Sequence, residues 1–194
     1  MDENIRILGR QIISRGFGLL EKVSIDRRRF DKGRQTYSRE LYDTGDGAAI
    51  LLYDPSRSTV ILVRQFRLPA FLADNRESLI EVCAGKLEGD DPDVCIVKEV
   101  AEETGFTIKN PQRLFEAYSS PGSFAEKLTF FAAPYSAQDR TGKGGGLDHE
   151  AEDIEVLELT LDDALAMIET GEIVDAKTIL LLQYAKMKGL MKGE

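Results

Sequence analysis

Ala84-Gly-Lys-Leu-Glu-Gly-Asp-Asp-Pro-Asp-Val-Cys-Ile-Val-Lys-Glu-Val-Ala-Glu-Glu-Thr-Gly-Phe106 is the most informative stretch of this chain. It begins where a short strand, Leu79 to Ala84, gives way to a glycine-bearing loop. A helix is predicted from Pro92 to Thr104: Asp91 is placed to cap it, proline suits the first helical position, where its missing N–H costs nothing, and Gly105 stops it. At about 100° of rotation per helical residue, Glu99, Glu102 and Glu103 fall within an arc of about 100° on one face. Like charges at this spacing cost roughly a few tenths of a kcal/mol per pair, and these sit near the negative end of the helix dipole, so something must offset them. For an arbitrary Glu-x-x-Glu-Glu, a solvated acidic face is the ordinary explanation. Here the succession of strand, glycine loop, capped helix and abrupt stop points to a hard divalent cation, which takes oxygen ligands and bridges carboxylates to phosphates.

Upstream, the main domain begins near Gly45 with the apolar run Ala48 to Tyr53, the turn Asp54-Pro55-Ser56 and the strand Thr59 to Phe66. Downstream, strands are predicted around Arg113 to Tyr118, Glu126 to Ala133 and Ile154 to Leu159. Thr160 to Asp163 can cap a helix ending at Gly171, and Asp175 to Lys188 forms a second, closed by Gly189 with Lys186 and Lys188 in its last turn. This is an α/β (α+β) pattern, a mixed sheet sandwiched by helices. Before it, Leu19 to Asp26 and Arg34 to Tyr42 read as two strands around a turn at Asp31, Lys32 and Gly33. Residues 1–43 are therefore expected to form a small antiparallel β element and residues 44–194 the main domain. So short a hairpin is marginal alone, and must pack on the main domain, a second subunit, or both.

A chain of 194 residues with 42% hydrophobic content supports one good core, not two ordinary domains. Met1 to Arg10 show neither a long apolar stretch nor a small-residue cleavage site, and no apolar run approaches the roughly 20 residues of a membrane span. A soluble, cytoplasmic protein is expected. A net charge of −9 disfavours a clamp on DNA or RNA, which draws on clustered Lys and Arg. Cys83 and Cys95 are too far apart for a Cys-x-x-Cys pair and are expected to be buried, reduced thiols. His149 is the one histidine, a thin basis for a Ser-His-Asp triad or a histidine zinc site, so catalysis falls to carboxylates.

The Ala84–Phe106 segment resembles the Nudix box, which runs Gly, five residues, Glu, seven residues, Arg-Glu-apolar-x-Glu-Glu-x-Gly-apolar. Gly85, Glu99, Val100, Glu102, Glu103, Gly105 and Phe106 match. There are two departures. Asp90, with Asp91 as the alternative alignment, replaces the early Glu in a loop one residue shorter. Lys98 replaces Arg and lacks its planar two-pronged geometry, which weakens the internal ion pair of that helix. The resemblance covers nearly the whole chain and looks closest to the GDP-mannose pyrophosphatase branch of the Nudix hydrolase superfamily, itself similar to ADP-ribose pyrophosphatases. It is carried by Ser38-Arg-Glu40, Val63-Arg-Gln-Phe-Arg67, Glu81-Val-Cys-Ala-Gly85, Ser120-Pro-Gly122 followed by Glu126, Gly144-Gly-Gly146 with Glu152-Asp-Ile-Glu155, and Asp175-Ala-Lys-Thr178.

The resemblance implies a Nudix fold and a Mg²⁺ ion, with Mn²⁺ as a substitute, held by Glu99, Glu103, Glu152 and the carbonyl of Ala84. It implies catalysis by Glu103, Glu152 and Glu102, with Glu152 a metal ligand or the general base. Phe17 would stack on the base, and Ser38, Arg39, Glu40, Arg67, Ala84, Gly85, Glu103, Glu126 and Lys177 would contact a nucleotide sugar. Arg64 remains a surface charge. GDP-mannose is the substrate implied first, an ADP-ribose or ADP-sugar second, and a non-catalytic nucleotide-binding module third. A homodimer through the N-terminal region, without nucleic-acid or membrane partners, completes the expectation. Asp139 to Glu152, rich in glycine and acids, reads as a surface loop whose mobility would bring Glu152 to the metal when substrate is bound.

Overall fold

Ala48 to Leu52 are completely or almost completely buried because their strand lies inside a sheet covered on both faces, which is why the run is apolar throughout and does not alternate. The computed structural model describes residues 4–31, 33–147, 149 and 151–192. The chain divides into two units, Met1–Asp46 with Tyr118–Lys127, and Gly47–Ala117 with Leu128–Glu194.

The first unit holds a three-stranded antiparallel sheet of β1 (Ile5–Arg15), β2 (Leu19–Arg28) and β3 (Arg34–Asp43) in that order. β2 and β3 fall where they were predicted; β1 was not foreseen. Its register slips between Ile7 and Gly9 and again between Ile12 and Ser14, and such bulges destroy the strict alternation by which a strand is recognised. At the hairpin turn the Gly33 N–H donates to Asp31 Oδ1 at 3.1 Å, while Lys32 lies outside the described residues. The distant segment Tyr118–Lys127 runs beside β3: the Ala125 N–H donates to the Tyr42 carbonyl at 3.1 Å, and the Tyr42 and Phe124 rings meet edge-on at 5.8 Å.

The second unit contains β4 (Gly47–Asp54), β5 (Thr59–Gln65), α1 (Leu68–Asp74), β6 (Leu79–Glu81), β7 (Cys83–Lys86), α2 (Pro92–Glu99), β8 (Gln112–Tyr118), β9 (Lys127–Pro134), β10 (Glu155–Thr160), α3 (Leu161–Glu169) and α4 (Ala176–Lys188). Its seven-stranded mixed sheet has the order β10-β5-β4-β9-β8, with β6 beside β5 and β7 beside β4; β4 and β9 run parallel. The pleat of β4 sends Ala49 and Leu51 to one face, where they pack with Leu161 and Ala164 of α3 and Leu181, Leu182 and Ala185 of α4. Ala48, Ile50 and Leu52 face the other way, against Cys95, Ile96 and Val100. Each fully buried Leu or Ile contributes about 1.5–3 kcal/mol relative to exposure, so the two faces together hold the helices to the sheet. The expected sandwich is the observed one. The strand predicted over Leu79 to Ala84 is in fact two, because Val82 falls where the chain passes from pairing with β5 to pairing with β4. α1 was not predicted: it is 7 residues long and buries none of them, so it lacks the buried apolar stripe by which a helix is recognised.

Candidate active site

The predicted helix over Pro92–Thr104 is α-helical only as far as Glu99. Asp91 caps it as expected, its side chain accepting from the Asp93 N–H at 3.0 Å. Val100–Thr104 then widen into a π-helical turn, closed by Gly105 at φ 74°. The Thr104 hydroxyl donates back to the Val100 carbonyl and accepts from the Phe106 N–H at 3.2 Å, which anchors the turn. A π turn changes the angular step between residues, and turns of this kind concentrate at functional sites.

The consequence is a sorting of the three glutamates. Glu103 is 2% exposed, its Oε2 accepting from the Ala84 N–H at 3.3 Å and its carboxylate receiving the Cys83 thiol. Glu99 lies against Gly85, where a Cβ would stand 2.1 Å from the Glu99 carboxyl; only glycine leaves room for it. Glu102 turns away to Lys98, Oε2 to Nζ 3.8 Å, so the weakened internal ion pair exists as a long surface contact worth roughly a few tenths of a kcal/mol. The α-helical geometry from which an arc of three carboxylates was read thus ends at Glu99, and the charges that bear on Glu103 are those of Glu99 and Glu152. Burial, the Glu99 charge and the Glu152 charge push the Glu103 carboxyl up to about 8, against the opposing hydrogen bonds from Cys83 and Ala84. Both cysteines are free and buried, as predicted, but Cys83 borders the site, a contact the sequence reading missed.

The glycine run reaches this same turn. The Gly145 N–H donates to the Glu103 carbonyl at 2.9 Å, Gly146 to Glu102 at 3.1 Å, and Thr141 and Gly142 both to Gly105 at 2.9 Å. These are the carbonyls that a helix end leaves without partners. A Cβ at Gly144, φ 69°, would meet the Thr104 carbonyl carbon at 2.6 Å, so the two backbones touch with nothing between them. The strap leads to Glu152, whose Oε2 accepts from the Leu147 N–H at 3.0 Å. Asp148 and Glu150, between them, lie outside the described residues.

Arg67 and Lys177 converge beside the cradle on a residue to which sequence reading assigned no role. Glu81 is 1% exposed and accepts from Arg67 Nε at 2.7 Å and Nη2 at 3.0 Å, and from Lys177 Nζ. Asp175, the cap of α4, also accepts from Lys177 Nζ, at 3.0 Å. Burial alone would raise Glu81; the Arg67 hydrogen bonds and the Lys177 charge outweigh it and hold the carboxylate below its ordinary range. Arg67 in turn feels the charges of Glu81, Glu103 and Asp175, which hold its guanidinium protonated against burial. The signal was present: an acid inside the apolar strand Leu79-Ile-Glu-Val-Cys83 requires a cation. Arg64, as expected, is a surface residue, paired with Glu155 at 2.6 Å.

The remaining predicted contacts belong to the first unit. Phe17, 81% exposed, sits in the β1–β2 turn. Ser38 bonds Ser24 across the sheet at 2.8 Å, the Arg39 guanidinium lies 4.6 Å above the Tyr37 ring, and Glu40 stands opposite Lys22. The Glu126 carbonyl accepts from the Ser119 N–H at 3.3 Å.

The groups around Glu103 suit a hard divalent cation in kind: the charges of Glu99 and Glu152 beside its own carboxylate, and a glycine cradle that a Cβ would fill. Burial first, and then the Glu99 and Glu152 charges, raise Glu103, and a cation would relieve that repulsion. Among the described residues, however, no three His, Cys, Asp or Glu side chains are drawn close enough to coordinate one.

The NUDIX domain family matches residues 43–182 of the chain. A GDP-mannose pyrophosphatase of Escherichia coli O1:K1 / APEC is 46% identical over 192 residues, spanning 98% of this chain and 100% of that protein. The GDP-mannose pyrophosphatase of Klebsiella pneumoniae subsp. pneumoniae is 44% identical over 194 residues, spanning 100% of this chain and 97% of that protein. Among solved structures, one titled ADP compounds hydrolase superposes with a TM-score of 0.70 at 18% identity, covering 97% of this chain and 96% of that one, a likeness of fold.

Proposed function

The chain belongs to the NUDIX family and is a pyrophosphatase of the hydrolase class, and from that premise we propose that it cuts GDP-mannose into GMP and mannose 1-phosphate with Mg²⁺. The observation that carries this reading is the cradle itself: Glu103 buried against Ala84, with Glu99 and Glu152 as its charged neighbours, in a chain nearly half identical to proteins of that name. Glu99, Glu103, Glu152 and the Ala84 carbonyl would hold Mg²⁺, or Mn²⁺ in its place, and the bound ion would neutralise pyrophosphate charge and acidify a water. Glu103 supplies the buried negative charge, and Gly85 admits Glu99 to its side. Glu152 acts as a ligand or general base, with Glu102 in support. Arg67 and Lys177 offer donors to the phosphates or sugar. Phe17, Ser38, Arg39 and Glu40 of the N-terminal element, residues 1–43, and Glu126 of the catalytic domain, residues 44–194, would supply base and sugar contacts.

The test is a panel of nucleotide sugars that includes GDP-mannose and ADP-ribose, with and without Mg²⁺, the products separated by chromatography. Mg²⁺-dependent GMP and mannose 1-phosphate as dominant products support the reading. AMP as the dominant product would keep the chemistry and overturn the substrate; no turnover of any compound would overturn both.

A homodimer through the N-terminal element is part of the same proposal. β1 is an edge strand, exposed along its whole length, and it presents Ile5, Ile7, Leu8, Ile12 and Ile13 to solvent, a combination that invites a second copy. The double change Ile7→Asp with Ile13→Asp is expected to yield a folded monomer by light scattering. A native chain that is already monomeric would count against the dimer. No helix among the described residues is long and apolar enough to cross a membrane, and the two free, buried thiols are in keeping with the proposed cytoplasmic site of action.

A further inference from the structure

Arg67 and Lys177 are brought together by tertiary structure alone. Arg67 is the residue before α1 and Lys177 lies in the first turn of α4, yet both point their charges at one carboxylate. Two cations cannot share a half-buried position without an anion between them, and Glu81 is that anion. We propose that Glu81, assisted by Asp175, is the positioning residue of the site: it holds Arg67 and Lys177 as a paired cationic platform for the substrate's phosphates, an inference that rests on reading the site as a pyrophosphatase centre.

A purely structural role fits poorly. α4 has other anchors on the strands: Thr178 is completely buried, accepts from the Val82 N–H at 2.8 Å and donates to Asp175 Oδ2 at 2.6 Å, and Leu181, Leu182 and Ala185 pack in the core. A buried ion cluster is also a weak source of stability, since apolar residues of like volume do as well or better. What it provides is direction. The two-pronged contact fixes the plane of the Arg67 guanidinium, with Nε and Nη2 committed to Glu81 and Nη1 outside that pair. Asp175 gives Lys177 a second carboxylate partner, at 3.0 Å. The Glu103 charge acts on Arg67, so the platform borders the carboxylate cradle, and the two parts present opposite charge to a substrate that carries anionic phosphates and recruits a cation.

The experiment is steady-state kinetics on GDP-mannose with Mg²⁺ for the native chain, Glu81→Gln, Arg67→Ala and the double variant. In parallel, pyrophosphate is titrated against thermal unfolding as a binding readout that needs no turnover. Glu81→Gln is expected to raise KM about tenfold while changing kcat less than about threefold, and to raise the pyrophosphate concentration for half-maximal stabilisation by a similar factor. In the Arg67→Ala background the same change is expected to add little, because it acts through a side chain no longer there. Should Glu81→Gln fail to fold, Glu81→Asp, which keeps the charge on a shorter arm, is read the same way with a smaller shift. A lowered melting temperature with KM and pyrophosphate binding unchanged, or effects of the two variants that simply multiply, would overturn the proposal. If the native chain turns over no nucleotide sugar, the proposed function fails separately, and the pyrophosphate titration alone decides: weaker binding in Glu81→Gln upholds the platform, unchanged binding rejects it.

Discussion

Glu103→Gln is expected to lower turnover by about three powers of ten while making the protein without metal harder to unfold. The loss follows from removing a buried charge that a divalent cation needs. Such an ion contributes several kcal/mol to a phosphoryl transition state, and each ~1.4 kcal/mol is tenfold in rate. The gain follows from linkage. The Glu103 carboxyl titrates at about 8 in the fold against an ordinary 4.5. Between those values the folded chain holds a proton that the unfolded chain has released, so stability falls as pH rises from 4.5 to 8. Glutamine has no proton to lose and escapes that penalty. The melting temperature of Glu103→Gln should therefore lie above that of the native chain in EDTA, by a margin that is small near pH 5 and widest near pH 8, while Mg²⁺ stabilises the native chain and not the variant. A variant that keeps turnover within tenfold of native, or melts lower at pH 8, would show that Glu103 is an ordinary buried acid.

Gly105→Ala should unfold the chain most readily of all single-methyl additions in this region, with a cost of about 2–6 kcal/mol. Residue 105 sits at φ 74°, where an L side chain is strained by about 1–3 kcal/mol. The added Cβ would meet the Gly142 carbonyl oxygen at 2.4 Å and the Gly144 nitrogen at 2.7 Å, both backbone atoms with no rotamer by which to retreat, and overpacking of this kind costs about 1–3 kcal/mol more. Relief requires the strap to lift, which breaks its hydrogen bonds to Glu102, Glu103 and Gly105 and carries Glu152 away. Chemical denaturation should show the loss of stability, and the folded fraction should be nearly inactive. Gly85→Ala is the informative contrast. There the displaced atoms belong to the flexible Glu99 side chain, so stability should suffer much less than activity. Equal losses of activity and stability in both variants would refute the separation.

Local chemistry, legible residue by residue, determined a good deal of this protein. Asp91 and Thr160 each cap the helix they were expected to cap, and Asp175, read as the first residue of its helix, caps α4, because a side-chain oxygen placed before a helical run has few other uses. The unbroken apolar run of β4 marked a buried strand, and the order Gly85, Glu99, Glu103, Gly105 foretold a family. Other features were decided only when distant parts of the chain met. The π turn that parts Glu102 from Glu103 is stabilised by hydrogen bonds from the Gly142–Gly146 strap some forty residues on, so no local propensity announces it. The bulged strand β1 hides its period. Glu81, Arg67 and Lys177 form one cluster because the buried carboxylate that β6 carries must find its cations wherever the fold delivers them. Caps and apolar periods act over a few residues and can be read in order along the chain. Charge compensation in a buried site acts through space, and only the tertiary structure says which residues share it.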